Sequence, residues 1–101
     1  MKKYFALLLA VLMMIPAFST AENVVKIGVF EPASGDSGAG GKQEILGMQY
    51  ANSVQPTVDI GGETYQVELV YADNGSSTDK APSAAQQLVS AGVSVVLGSY
   101  G

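Results

Sequence analysis

The 101-residue chain contains no cysteine, no histidine and no arginine. Without cysteine, it has neither a disulfide framework nor the lipidated cysteine of a lipoprotein anchor. The joint absence of cysteine and histidine argues against a zinc site, and it excludes thiol-based and histidine-based catalysis within these residues. No cofactor is therefore expected from the residue types present.

Positive charge is also scarce once the first 21 residues are set aside. Nine acidic residues then face only three lysines, Lys26, Lys42 and Lys80, which gives a net charge of −6. Binding to nucleic acid requires a surface rich in lysine and arginine, because the phosphates must be neutralised. We therefore expect no nucleic-acid partner.

Residues 1–21 have the organisation of a secretory signal peptide. Lys2 and Lys3 precede an apolar run over residues 4–15, and small residues at 19–21 favour cleavage after Ala21. The alternative is a membrane anchor, but the apolar run is shorter than the roughly 20 residues that a spanning helix needs. The sequence thus predicts export to the periplasm and a mature chain that begins at residue 22.

A buried strand followed by a glycine-rich loop opens the mature chain. Residues 24–30 form a short, mainly apolar run, and residues 31–41 contain one proline, four glycines and several small polar residues before helical spacing begins. A strand, such a loop and a helix form the first half of a βαβ unit. Because unpaired N–H groups and the helix dipole at a helix N-terminus favour an anion, we expect this loop to form one wall of a ligand site.

The remaining pattern predicts two helices and two further strands. The first helix, over 41–53, has a core-facing stripe of Ile45, Met48 and Ala51, with Leu46 and Tyr50 alongside. The second helix is capped by Asp79, has Pro82 in its first turn and ends at Gly92. The other predicted segments are a turn over 58–63, a strand over 64–71 with the alternation of an edge strand, and an interior strand over 93–97.

This order is β-α-β-α-β, the pattern of an α/β fold with a doubly wound parallel sheet. The edge character of the second strand and right-handed crossovers predict the spatial order 2-1-3, with the two helices on opposite faces. The reversal creates a crevice between strands one and three at their carboxyl ends, lined by residues 31–41 and 98–101. The open edge of strand three and the short length predict that the chain is the N-terminal part of a longer protein.

Two other interpretations of the polar loops are weaker. Residues 36–43 approach the phosphate-binding pattern G-x-x-x-x-G-K-[ST], but Asp36 replaces the first glycine and Gln43 the hydroxyl residue. Asp36, Asp73 and Asp79 are interpreted as solvated loop and cap residues, since their spacing brings no two together. The alternative for the first loop is a flexible turn without contacts.

The segments IGVFEPASGDSGAGGKQEILGMQYAN, GGETYQVELVYADNGSS, AAQQLVSAG and VSVVLGSYG resemble the start of periplasmic solute-binding proteins of the branched-chain amino acid uptake type. The resemblance covers residues 24–101. It implies a periplasmic-binding-protein type I fold, with residues 22–101 forming part of the N-terminal lobe of a two-lobed protein. It also implies that the protein captures a small amino acid-like ligand and delivers it to an ABC permease in the inner membrane.

The resemblance also suggests the ligand-binding residues. In the family, the loop after the third strand offers backbone N–H groups and a small hydroxyl to the ligand's α-carboxylate, and the matching residues here are Ser99, Tyr100 and Gly101. The first loop matches residues 32–41. The candidate contacts in that loop are Ser34, Gly35, Ser37 and Gly40.

Ligand identity stays open at this point. Leucine-type members of the family can carry an aromatic residue where this chain has Gly40, so other amino acids, amides and short carboxylates remain candidates. A sensor input domain of the same fold is the main alternative function. A secreted enzyme on a flavodoxin-like sheet is another, although no nucleophile–base pair is found here and no enzymatic activity is expected.

Overall fold

The computed structural model describes residues 23–101, so the predicted signal peptide lies outside the described residues. Within them, four strands and two helices follow one another along the chain. Their order and bounds are β1 (Val24–Glu31), α1 (Gly38–Val54), β2 (Thr57–Ile60), β3 (Glu63–Asp73), α2 (Ala81–Ala91) and β4 (Val95–Leu97). No helix in this part of the chain is both long enough and apolar enough to cross a membrane.

The strands form one sheet in the order β2-β3-β1-β4. The parallel pairing of β1 with β3 runs from Val24 opposite Gln66 to Glu31 opposite Asp73, and β4 pairs in parallel with β1 from Ile27 opposite Val95. The three parallel strands thus have the predicted order 2-1-3, and the predicted α/β class is confirmed.

The prediction of a turn over 58–63 is wrong in part, because this region contains a strand. Strand β2 pairs antiparallel with β3, and Gly61 and Gly62, both with positive φ, form the two-residue hairpin turn between them. Strand β3 is consequently an inner strand, and β2 takes the edge. The other edge is β4, whose three residues are exposed. Its apolar composition is typical of an interior strand, and an open edge at this strand was predicted for the chain.

The two helices lie on opposite faces of the sheet, as a doubly wound order requires. On one face, Leu88 and Ala84 of α2 form a small core with Ala72, against which Phe30, Val70 and Val93 pack. Gly28 of β1 allows this close packing, because an added Cβ would lie 3.1 Å from Leu88.

Helix α1 covers the other face less closely. Ile45 and Met48 are half-buried, whereas Leu46 and Tyr50, which were predicted to flank the core stripe, are 63% and 72% exposed. An open groove of about 930 Å³ remains between α1 and the sheet, with a floor formed by Val25, Ile27, Val67 and Leu69.

The ends of α2 differ slightly from the predicted ones. Lys80, not Asp79, stands at the N-cap, and Pro82 lies in the first turn as expected. Gly92 has left-handed φ of 75°, and its N–H donates to the last helical carbonyls. This glycine ends the helix and directs the chain into β4.

Candidate functional site

The carboxyl ends of β1, β3 and β4 meet at one edge of the sheet, and the loops that follow them form the candidate site. These loops are residues 32–37, 74–80 and 98–101. Since β1 and β4 are neighbours with helices on opposite faces, a crevice opens between their ends. This is the position that the sequence predicted for a ligand.

Asp73, at the end of β3, holds the first loop in place. Its Oδ1 accepts hydrogen bonds from the backbone N–H groups of Ala33 and Gly75, each at 2.8 Å, and its Oδ2 accepts one from the Ser34 hydroxyl at 2.7 Å. The bond from Ser34, followed by those from Ala33 and Gly75, lowers the pKa of Asp73 to about 2. Asp73 is therefore a structural carboxylate and not merely a solvated loop residue.

Ser76 makes a second connection between the first two loops. Its hydroxyl donates to the Ser34 carbonyl at 2.8 Å and accepts from the Ser37 N–H at 2.9 Å. Gly35, with φ of 80°, lies against the Gly75 carbonyl, where a side chain would clash. The first loop consequently has fixed contacts, unlike the flexible turn considered as an alternative.

The loop after β4 is held by side chains from the other two strands. Asn74, which is only 7% exposed, donates a hydrogen bond from Nδ2 to Ser99 Oγ at 2.9 Å. The Ser99 hydroxyl in turn donates to the Tyr100 carbonyl oxygen at 3.2 Å. The Tyr100 N–H donates to Glu31 Oε2 at 2.9 Å. The backbone of this loop is thus positioned by groups at the ends of β1 and β3.

The last loop also touches the end of the first loop and the first turn of α1. The Tyr100 ring occupies the space that a side chain at Gly40 would need, and a Cβ at Gly101 would lie 2.9 Å from Ser37 Oγ. Four predicted site residues, Ser37, Gly40, Tyr100 and Gly101, are thereby brought together. Helix α1 begins beside them, has no acidic residue in its first turn, and receives no side-chain capping bond from Ser37.

The other predicted residues lie at the margins of this group. Ser34 and Gly35 contact Asp73, Gly75 and Ser76, on the β3 side of the first loop. Ser99 lies between Asn74 and Tyr100. These three residues shape the loops around the crevice.

Glu31, Glu44 and Asn74 lie at the crevice but were not among the candidate ligand contacts named from the sequence, although residue 31 was placed in the predicted lining. Glu31 is 1% exposed, and its carboxyl lies near that of Glu44 on α1. A hydrogen bond with the Glu31 carboxyl, with smaller contributions from desolvation and charge repulsion, raises the pKa of Glu44. For Glu31, the one available sequence signal was its position as a charged residue directly after the apolar strand run and before Pro32.

The described residues supply several kinds of hydrogen-bonding group at the crevice. No group of three or more acidic, histidine or cysteine side chains in residues 23–101 could hold a metal ion. The crevice instead presents backbone groups, serine hydroxyls, one aromatic ring and the Glu31 carboxylate. Groups of these kinds commonly orient small polar ligands in protein pockets.

The comparisons with known proteins agree with this description. The sequence profile of the family described as periplasmic binding protein matches residues 24–101. Among solved structures, the chain is similar to a leucine-binding protein from Thermotoga maritima, with 36% sequence identity and a TM-score of 0.66. That match covers 74% of this chain and 21% of the other, so the chain spans about a fifth of that protein's length. No curated protein matches the chain.

Proposed function

This chain belongs to the periplasmic binding protein family, and on that premise we propose that it captures a small amino acid-like solute in the periplasm for an ABC permease. The observation that carries the proposal is the contact between the two loops at the crevice, in which Tyr100 and Gly101 lie against Gly40 and Ser37. A binding site at the reversal point of the strand order is the usual ligand position in open α/β sheets.

Preorganisation supports a binding role. The hydrogen bonds of Asp73, Ser76 and Asn74 fix the three loops before any ligand arrives, so little conformational entropy is lost when the ligand binds. The ligand's acceptor group is proposed to lie near the N-terminus of α1, within reach of Ser37 and of the Gly40 and Gly101 backbone. Anions are favoured at such a position by the helix dipole.

The ligand contacts proposed for the loop after β4 differ in detail from those that the family resemblance implied. Ser99 and the Tyr100 N–H were expected to bind the ligand carboxylate, but each already has a partner within the chain, Asn74 and Glu31. These bonds leave Gly101 and the Tyr100 ring as the proposed ligand contacts of this loop. Closure of a second lobe over the crevice would complete the site and exclude water.

The ligand named for the similar Thermotoga protein makes leucine the first candidate, and other amino acids, amides and short carboxylates follow. Export with cleavage after Ala21 and delivery to the permease are parts of the same proposal. No enzymatic step is included in it, since the proposed role requires only reversible binding.

A thermal-shift screen of the ligand-stripped, full-length protein tests the proposal. Leucine, other amino acids, amides, urea and short carboxylates are added separately. A ligand that binds only the folded protein stabilises it by about 2.7 kcal/mol at a hundredfold excess over Kd. A rise in Tm with one ligand class is expected, whereas an unchanged Tm with every compound would contradict solute capture.

A further inference from the structure

Asn74 follows β3 directly and precedes Gly75, a pair with a reactivity that the other asparagines lack. Those two, Asn23 and Asn52, precede valine and serine. The backbone nitrogen of the next residue can attack an asparagine side chain, and glycine, which has no Cβ, neither blocks this approach nor restricts the backbone angles that it needs. By its covalent chemistry, the step from Asn74 to Gly75 is therefore the one most open to spontaneous deamidation.

The reaction needs only the chain and water. The Gly75 nitrogen loses its proton to solvent and forms a bond to Asn74 Cγ, while the bond from Cγ to Nδ2 breaks and ammonia leaves with a proton taken from solvent. The product is a cyclic imide. Water then adds to either carbonyl carbon of the imide and opens the ring, which gives aspartate or isoaspartate without any oxidation or reduction.

The fold makes the Gly75 nitrogen a poor nucleophile. Its N–H donates a hydrogen bond to Asp73 Oδ1 at 2.8 Å. A carboxylate that accepts this bond disfavours loss of the proton, through both the hydrogen bond and its negative charge. Asp73 is itself held by the Ala33 N–H and the Ser34 hydroxyl, so this effect depends on the folded first loop.

Both polar atoms of the Asn74 amide are also bonded. Nδ2 donates to Ser99 Oγ at 2.9 Å, and Oδ1 accepts from the Ser76 N–H at 3.1 Å. Because only 7% of Asn74 is exposed, water has little access to its side chain. Imide formation removes Nδ2 and redirects Oδ1, so both bonds must break, and their loss in a buried place costs free energy.

We propose that Asn74 is a deamidation site that folding suppresses, through the hydrogen bond between Asp73 and Gly75 and through the bonds of the Asn74 amide itself. The product has a defined effect on the crevice. An aspartate at this position has no N–H to donate to Ser99, and it places a negative charge on an almost fully buried side chain. Isoaspartate also lengthens the backbone between Asp73 and Gly75. Deamidation therefore loosens the loops after β3 and β4 together.

Peptide mapping by mass spectrometry tests the suppression. The full-length protein is kept at mildly alkaline pH, either folded or unfolded in guanidinium chloride, and the fraction of Asn74 converted to aspartate or isoaspartate is followed with time. The folded chain is expected to react at least about tenfold more slowly than the unfolded chain, the factor that corresponds to one hydrogen bond to a charged group. Equal rates would overturn the inference.

Substitutions assign the effect to Asp73. Asp73→Ala removes the acceptor of the Gly75 N–H and is expected to speed the reaction about tenfold. Asp36→Ala removes the same charge from an exposed position of the first loop, and Leu88→Val weakens the core on the α2 face without touching these bonds. Both controls should keep the parent rate. A slow reaction in Asp73→Ala, or one equally fast in Leu88→Val, would overturn the inference.

A second variant covers the case in which Asp73→Ala does not fold. Ser99→Ala removes only the acceptor of the Asn74 amide, from an exposed residue. In that case a faster reaction in Ser99→Ala supports the inference, and an unchanged rate overturns it.

The product variant tests the consequence for the loops. Asn74→Asp is expected to lower the Tm of the full-length protein, whereas Gln87→Glu, the same amide-to-carboxylate change at an exposed position of α2, should keep the parent Tm. Equal Tm values for these two variants would overturn the link between deamidation and the loops. None of these measurements uses a ligand, so their outcome is independent of the proposed function.

Discussion

The Tyr100 ring lies where a side chain at Gly40 would be, so the last loop and the first turn of α1 share one space. This contact joins two segments that are 60 residues apart in the sequence. It determines how close the two loops of the crevice can approach, and it limits residue 40 to glycine as long as the ring keeps its place.

Gly40→Ala tests this contact directly. The added methyl group would displace the Tyr100 ring, and we expect ligand affinity to fall by about three- to tenfold, which corresponds to the loss of one aromatic contact. Gly47→Ala is the matched control, because nothing lies within 4 Å of a Cβ at that helical position. It should leave affinity unchanged and stabilise the protein by about 0.5–1 kcal/mol. Equal affinities in the two variants, measured by calorimetry, would contradict the role of the contact.

Asp73 predicts an acid-dependent loss of stability. Its pKa in the folded protein is lowered from 3.8 to about 2, so the carboxylate binds its proton more weakly when the loop is folded. The contribution of Asp73 to the free energy of unfolding is fully present above pH 3.8 and is lost as the pH falls toward 2.

The Asp73→Ala variant should consequently be less stable than the parent protein at pH 7, by about 1–2 kcal/mol, the typical value for hydrogen bonds to a charged group at an exposed site. The difference should shrink as the pH approaches 2. Urea denaturation at several pH values measures both effects, with Asp36→Ala, an exposed residue of the first loop, as the control. A pH-independent difference would show that the charge of Asp73 is not involved.

Glu44 predicts the opposite pH dependence. Its pKa is raised above 4.5, chiefly by the hydrogen bond with Glu31, so folding favours the protonated form. Protonated Glu44 therefore contributes to the free energy of unfolding below pH 4.5, and this contribution is lost as the pH rises through the raised pKa. Glu44→Gln should therefore equal the parent protein in stability at pH 4 and exceed it at pH 7. Thermal denaturation of both proteins at pH 4 and pH 7 measures this difference in stability, with Glu68→Gln as the control at an exposed position. A Glu44→Gln variant that is less stable than the parent protein at pH 7 would contradict the prediction.

The small core on the α2 face predicts a large effect at one position. Leu88 is 1% exposed and packs with Ala72 and Ala84, so Leu88→Ala should destabilise the protein by about 2–5 kcal/mol through lost burial and the cavity left behind. Its neighbour Val89 is 69% exposed, and Val89→Ala should change stability by less than about 0.5 kcal/mol. Similar urea midpoints for the two variants would place the core elsewhere.

Local sequence patterns predicted most of the fold. The apolar run at residues 24–30, the helix stop at Gly92 and Pro82 in the first turn of α2 all depend on short-range effects, namely side-chain hydrophobicity and backbone freedom. Strand β2 was missed because four residues before Gly61 carry too little periodicity to be distinguished from a turn. The early start of α1 was missed because Gly38 and Gly40 disfavour helix in isolation. In the folded protein Gly40 lies against the Tyr100 ring, where no side chain fits.

The sequence alone predicted the place of the proposed site, because α/β alternation and the strand order bring the loops after β1 and β4 beside one crevice, whatever their side chains. Only the tertiary structure decided which groups remain free to bind a ligand. Pairing β1 with β3 and β4 brings Asp73 to Ser34, Asn74 to Ser99 and Glu31 to Tyr100. These pairs are 25 to 69 residues apart, and such long-range partners depend on packing that local sequence patterns do not specify.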